Sequence, residues 1–281
     1  MKYSLPLALT TFIVMLFQWA DTFMIGYFKT ASDVGIYNAA LPTAKLLYMV
    51  PYALTALLLP VISELIAKKD LSSLKTTYQT TTKWIFVMNI SIATLFILFS
   101  QNILKLLFGA EYIGGAFSLV ILSIGYFVFY LALTSESILL SLEKTKLLFY
   151  VSFFGSLLNI ILNLILIPRY GINGAAIATS ISVVLIALLW LIRSYKFVKI
   201  MPFRWSYFKI LFSVIVSALL VKYLLVKTFD VNNNYILIGG FILFLIVYLV
   251  LLIVTRSLEE QDIRILKNIK NNIFNHIGGR L

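Results

Sequence analysis

A mostly apolar run of about twenty residues recurs eight times along this chain, and each run is long enough to span a bilayer core as a helix. The runs lie at about 5–28, 38–66, 84–106, 117–142, 147–167, 172–192, 207–226 and 235–255. No period-2 alternation accompanies them, which argues against a β-barrel. The links between them are too short to hold a soluble catalytic domain. Hydrophobic residues make up 61% of the chain and charged ones 12%. A water-soluble surface needs about twice that charged fraction. The expected fold is therefore an all-α integral membrane protein. The start of the sequence, Met1 to Ala20, lacks a small-residue cleavage site and reads as part of a first span, not a removable signal.

The formal net charge of +12 belongs to this topology. With the N-terminus in the cytoplasm, 17 of the 23 Lys and Arg fall in cytoplasmic segments and 5 in outer ones, with Lys45 inside a span. That asymmetry satisfies the positive-inside rule and puts both termini in the cytoplasm of a multi-pass cell-membrane protein. The partners it implies are anionic headgroups, with no role for nucleic acid. After Thr255 the chain turns polar. Ser257 to Glu260 has capping-box form, and Ile263, Leu266, Ile269 and Ile273 recur among Arg264, Lys267 and Lys270. This reads as an amphipathic helix on the inner leaflet, or else a solvated tail. Asp70 to Thr82 is expected to be a short surface helix capped by Asp70.

Composition also narrows the chemistry. There is no cysteine, and the one histidine is His276 in the tail. No Asp-x-Asp metal motif appears. A thiolate or zinc site and a His-based acid/base set are excluded, so no catalytic or metal residues are expected and no cofactor beyond a coupling H⁺ or Na⁺.

The segment "NLILIPRYGINGAAIATSIS" (Asn163 to Ser182) sets the local architecture. Pro168 ends one span and Gly171 permits a tight reversal. Gly174, Ala178 and Ser182 then repeat at i, i+4, i+8, with Ala175 and Thr179 beside them. Such a stripe lets two helix backbones approach closely in lipid, as in a tight helical hairpin.

This segment, extended to "LNIILNLILIPRYGINGAAIATSIS", resembles polysaccharide and lipid-linked oligosaccharide flippases (Wzx-like), in the superfamily that also holds the MATE multidrug exporters. Three further stretches are similar in order and spacing: "WADTFMIGYFKTASDVGIYNAALPTAKLLYMVP" (Trp19 to Pro51), "LPVISELIAKKD" (Leu59 to Asp70) and "LFGAEYIGGAFSLVILSIG" (Leu107 to Gly125). Members of that family carry two six-helix lobes, usually followed by two more helices. The resemblance implies that this chain corresponds to spans seven to fourteen. Residues 1–200 would be one six-helix MATE-like lobe, 201–255 two additional helices, and 256–281 the cytoplasmic tail. A separately encoded first lobe or a second copy of this chain would complete it. The implied function is alternating-access flipping of a polyprenyl-diphosphate-linked oligosaccharide, with no bond made or broken. MATE-like export of cationic drugs and an inactive, partner-dependent fragment remain as alternatives.

Ionisable groups inside lipid are costly and mark function by default. Asp21 and Lys45 lie at matching depth, each about seven residues from the end of its span, or roughly 10 Å. Either they form a salt bridge, or Lys45 meets the substrate diphosphate as a point charge while Asp21 serves as its partner or as a H⁺ or Na⁺ site. Glu136 is a second coupling candidate, or a residue in water at the inner mouth; Glu64 suits the latter role. Asn159 and Asn163 share one face at i, i+4, for interhelical hydrogen bonding or substrate contact. Pro42, Pro51 and Pro60 are candidate hinges in the long second run, which otherwise is simply bent. Trp19, Trp84, Trp190, Trp205 and many tyrosines suit interfacial belts, or an aromatic platform for sugars.

Overall fold

The computed structural model of the chain describes residues 19–228 and 234–257, and every element in them is helical. The helices are α1 (19–28), α2 (Ala31–Lys45), α3 (Met49–Ala67), α4 (Leu71–Leu98), α5 (Ser100–Phe108), α6 (Ala116–Leu131), α7 (Leu133–Ser141), α8 (Thr145–Val198), α9 (Ser206–Thr228) and α10 (Asn234–Val254). Short 3₁₀ turns join α2 to α3 and α5 to α6. Five candidate spans of sufficient length and hydropathy occur among the described residues. One of them, Thr145–Val198, is folded back on itself and so supplies two crossings. Residues 19–28 and Gly239–Val254 are the described parts of two further apolar runs. The start of the first run and the amphipathic tail helix proposed beyond Ser257 lie outside the described residues.

The fold at α8 follows from two glycines. Gly171 has φ 58° and ψ −136°, a left-handed conformation that breaks the helix after Tyr170. Three residues on, a Cβ at Gly174 would sit 2.3 Å from the carbonyl oxygen of Leu166 on the other arm. Hydrogen there permits the arms to touch backbone to backbone. Gly174, Ala175, Ala178, Thr179 and Ser182 are all buried, as the small-residue stripe requires. Across the arms a Cβ at Gly155 would meet the Ile186 side chain. Lys29, just past the end of α1, donates to the carbonyl oxygen of Pro168 at 3.1 Å and so pins α1 to the hairpin tip.

Several boundaries depart from the sequence reading. Asp70 does cap a helix, its Oδ1 accepting from the Ser73 N–H at 3.0 Å. However, that helix is no short surface piece: α4 runs unbroken to Leu98. Thr76 and Thr82 bond their hydroxyls back to carbonyls four residues earlier, so polar residues do not interrupt the helix. The run expected at 84–106 instead ends near Phe99, and α5 begins a new short helix. Trp190 is not in an interfacial belt. It is 4% exposed and lies against Phe129, with ring centroids 5.2 Å apart.

The principal core joins residues of α1, α2, α4, α5, α6 and both arms of α8. A second cluster seats α9 and α10 on α4 through Phe86, Ile90, Tyr207, Ile210, Val214 and Tyr248. The Tyr248 hydroxyl donates to the Val87 carbonyl oxygen at 3.0 Å. At the end of the bundle opposite the hairpin tip, Tyr78 shares a hydrogen bond with Ser135 at 2.6 Å, and Thr82 with Thr134 at 2.8 Å, tying α4 to α7.

Candidate functional site

Folding at Gly171 determines which side chains meet inside the lobe. Asn163 and Thr179 lie eight residues either side of that glycine, so the hairpin sets them opposite each other. Asn159, one turn from Asn163, joins the same level. All three are buried, and all three aim at Asp21 on α1.

Asp21 is 4% exposed. A bare carboxylate there would carry a desolvation cost of several kcal/mol. Four donors offset it. Oδ2 accepts from the Tyr37 hydroxyl at 2.6 Å and the Thr179 hydroxyl at 2.5 Å. Oδ1 accepts from the Asn163 amide at 2.7 Å and the Asn159 amide at 3.3 Å. The two amides are linked further. Asn159 Nδ2 also donates to Thr179 Oγ1 at 3.1 Å, and Asn163 Nδ2 to Asn159 Oδ1 at 3.0 Å. Both amide nitrogens are thus fully used. One atom is left over: Asn163 Oδ1 is buried and has no hydrogen-bond partner. The cluster therefore gathers one carboxylate, two amide oxygens and two hydroxyls, all hard oxygen donors, with an orphaned acceptor among them. Rotation of the hydroxyls and amides would turn these oxygens on a small hard cation of single charge.

Asp21 and Lys45 do not form the salt bridge considered from their depths. The one ion pair between described residues is Lys68 with Glu64, exposed, at 2.5 Å. Lys45 is half-buried at the end of α2, within electrostatic reach of Asp21 but bonded to no described residue. Glu136, in the first turn of α7, is half-buried and also has no hydrogen-bond or ion-pair partner among the described residues. Asn159 and Asn163, candidates for interhelical hydrogen bonding or substrate contact, are both fully buried and donate to Asp21. Of the prolines, Pro42 lies inside α2 and Pro60 inside α3. Pro51 falls in the first turn of α3, where a missing N–H breaks no helical bond. The break at this point is the 3₁₀ turn Leu46–Tyr48 that precedes it.

Tyr37 and Thr179 were not singled out as ligands by sequence. Thr179 had a usable signal, its mirror relation to Asn163 about Gly171. Tyr37 had none, because the α1–α2 register depends on the tight turn at Thr30, whose hydroxyl and Asp33 carboxylate form a capping box.

Comparison with known proteins shows the family and the fold. The profile of the MatE family matches residues 6–165. An uncharacterized membrane protein of Methanocaldococcus jannaschii is 37% identical over 200 residues, which is 70% of this chain and 46% of that protein. The Haloferax volcanii protein named "Probable flippase AglR" is 32% identical over 194 residues, 67% of this chain and 40% of its own. Among solved structures, the lipid II flippase MurJ superimposes with a TM-score of 0.71 at 21% identity, covering 88% of this chain and 52% of MurJ. The chain thus spans less than half the length of these two curated relatives and about half of MurJ.

Proposed function

Because the chain belongs to the MatE family, we propose that it forms one lobe of a transporter that flips a lipid-linked oligosaccharide across the cytoplasmic membrane. Residues 1–200 make the lobe, 201–255 add two helices, and 256–281 form a tail on the inner leaflet. The second lobe is a separate chain or a second copy of this one. The end of the bundle that carries most of the Lys and Arg faces the cytoplasm, with both termini there. Transport proceeds by alternating access, and no bond is made or broken.

The observation that carries this reading is the Asp21 cluster. It joins α1, α2 and both arms of α8 through one carboxylate. A cation taken up there binds the arrangement in which these four segments are together more tightly than any arrangement in which they are apart. That differential affinity is what couples an ion gradient to a conformational equilibrium. The ion is Na⁺, for which Asp21, Asn159, Asn163 and Thr179 offer oxygen ligands; a proton on Asp21 is the alternative. Asn159 and Asn163 therefore belong with the ion and not the substrate.

Lys45 serves the substrate. A lysine inside a span that forms no ion pair with a described carboxylate suits an anionic diphosphate and repels a cationic drug. This favours lipid-linked glycan over MATE-like drug export. Pro42 and Pro60, with the 3₁₀ turn between them, let this segment bend.

The test uses proteoliposomes bearing the assembled transporter and a fluorescent polyprenyl-diphosphate disaccharide, with outer-leaflet dye quenched chemically. Flipping is expected to follow an imposed Na⁺ gradient and to vanish in Asp21→Asn. Flipping indifferent to both the gradient and the substitution would refute the reading, as would gradient-driven efflux of a cationic dye in its place.

A further inference from the structure

Two tyrosines next to Lys45 are exposed where exposure is least comfortable. Tyr48 is 41% and Tyr52 56% exposed. Both lie near the middle of the candidate span Ala31–Ala67, 37 residues long. Interfacial tyrosines sit at the ends of spans, with their hydroxyls among headgroups. A phenol facing acyl chains near the bilayer centre would leave its hydroxyl without a partner in hydrocarbon. An aromatic belt therefore does not account for this pair.

Helical phase shows what the pair faces. Lys45, Tyr48, Tyr52, Leu59 and Ser63 follow one side of the α2–α3 run, at spacings of three and four or their sum. Leu46, Met49, Ala53 and Leu57 follow another side, and it is apolar and exposed. The first side turns toward polar groups at three of its five positions. Lys45 is within reach of Asp21, Tyr48 of Glu136 on α7, and the Ser63 hydroxyl bonds that of Ser141 at 2.9 Å.

The rings are arranged as a ledge. Tyr48 and Tyr52 have centroids 4.9 Å apart at an interplanar angle of 38°. Tyr48 rests on buried Tyr130 at 5.4 Å, and Tyr130 stacks on buried Tyr126 at 5.4 Å and 18°. Two exposed rings thus continue a column begun by two buried ones. The face of an exposed aromatic ring attracts the C–H face of a pyranose, whose hydrogens carry partial positive charge. A carboxylate near such a ring can accept hydrogen bonds from sugar hydroxyls; Glu136 on α7 lies within electrostatic range of Tyr48 and has no hydrogen-bond or ion-pair partner among the described residues.

We propose that Tyr48 and Tyr52 form a stacking ledge for the first sugars of the transported glycan, with Glu136 accepting from their hydroxyls and Lys45, one turn away, holding the diphosphate. The ledge rests on the transport reading above and adds the part of the substrate it left open: the protein reads carbohydrate and not merely charge. Stacking tolerates many hexoses, while the carboxylate favours those with a free hydroxyl pair on one edge.

The test measures affinity of the full chain in nanodiscs for geranyl diphosphate with and without one attached N-acetylglucosamine. The sugar is expected to tighten binding by about three- to ten-fold, the range one aromatic contact supplies. In Tyr48→Ala/Tyr52→Ala that increment is lost, and Tyr48→Phe/Tyr52→Phe recovers it, because stacking needs the ring and not the hydroxyl. Lys45→Ala weakens both probes together. Where the double alanine variant does not fold, Tyr52→Ala alone, at the more exposed ring, is expected to lose most of the increment. Wild-type protein binding the two probes equally, or alanine variants keeping the increment, would overturn the ledge and leave the transport reading standing. Wild-type protein binding neither probe would overturn both.

Discussion

Two polar regions of the lobe treat charge in opposite ways. Around Asp21 every proton donor is spent: four of them converge on one carboxylate, and the group is sealed by the hairpin. Along the α2–α3 face, Lys45 and Glu136 have no described partners, and Tyr48 and Tyr52 stand open. A saturated site is selective for something small enough to enter by reorienting its own ligands. An unsaturated face awaits a large partner that brings its own charge and hydroxyls. On the proposed reading one lobe carries an ion site and a cargo site with different physics, joined through α2, which holds Tyr37 beside one and Lys45 beside the other.

The largest way to break that contrast is at the hairpin. Gly174→Val drives a side chain into the Leu166 carbonyl and parts the arms that carry Asn159, Asn163 and Thr179. The expected loss is about 3 kcal/mol of stability, read as a lowered melting temperature in detergent, together with loss of ion binding. Asp21→Ala comes next. It orphans the Tyr37 and Thr179 hydroxyls and one N–H of each amide, at about 2 kcal/mol, and abolishes any Na⁺-dependent shift in melting. Asn163→Ala removes one donor and the orphaned acceptor; its cost in stability is about 1 kcal/mol, with a weaker Na⁺ response. Lys45→Ala sharpens the contrast from the other side. It is expected to leave stability within about 0.5 kcal/mol while weakening binding of geranyl diphosphate by at least ten-fold.

The fold was mostly legible because lipid imposes simple demands. Uncharged runs and the Pro168–Gly171 reversal are local signals, and each maps directly to a helix or a turn. Helix ends were less legible. Thr76, Thr80, Thr81 and Thr82 read as a polar surface segment, yet in α4 hydroxyls bonded to the preceding turn carry the helix straight through. The site was half legible. Asp21, Asn159 and Asn163 stood out as polar groups in apolar runs, but their mutual contact depends on three segments meeting. Depth alone suggested Lys45 as the partner of Asp21. The actual partners are set by the hairpin register and the capped turn at Thr30, and no single window of sequence holds both.

The smallest effect comes from the end of the bundle opposite the hairpin tip. Hydrogen bonds from Ser73 and then Ser72 hold the exposed Asp70 carboxyl down to about 2. A depressed carboxylate stabilises the fold above its ordinary value near 3.8 and loses that contribution as pH falls toward 2. Asp70→Asn is therefore expected to melt slightly below wild type at neutral pH, with the gap closing below pH 4. Neither ion nor cargo binding should change, since Asp70 belongs to neither region.

The most direct measurement is the melting temperature of the full chain with Na⁺ titrated against choline at constant ionic strength. The expected result is a rise with Na⁺ that follows single-site binding, is absent in Asp21→Asn, and persists in Lys45→Ala. Superimposable melting curves in Na⁺ and choline for wild-type protein, or a Na⁺ response that survives in Asp21→Asn, would contradict an ion site at Asp21.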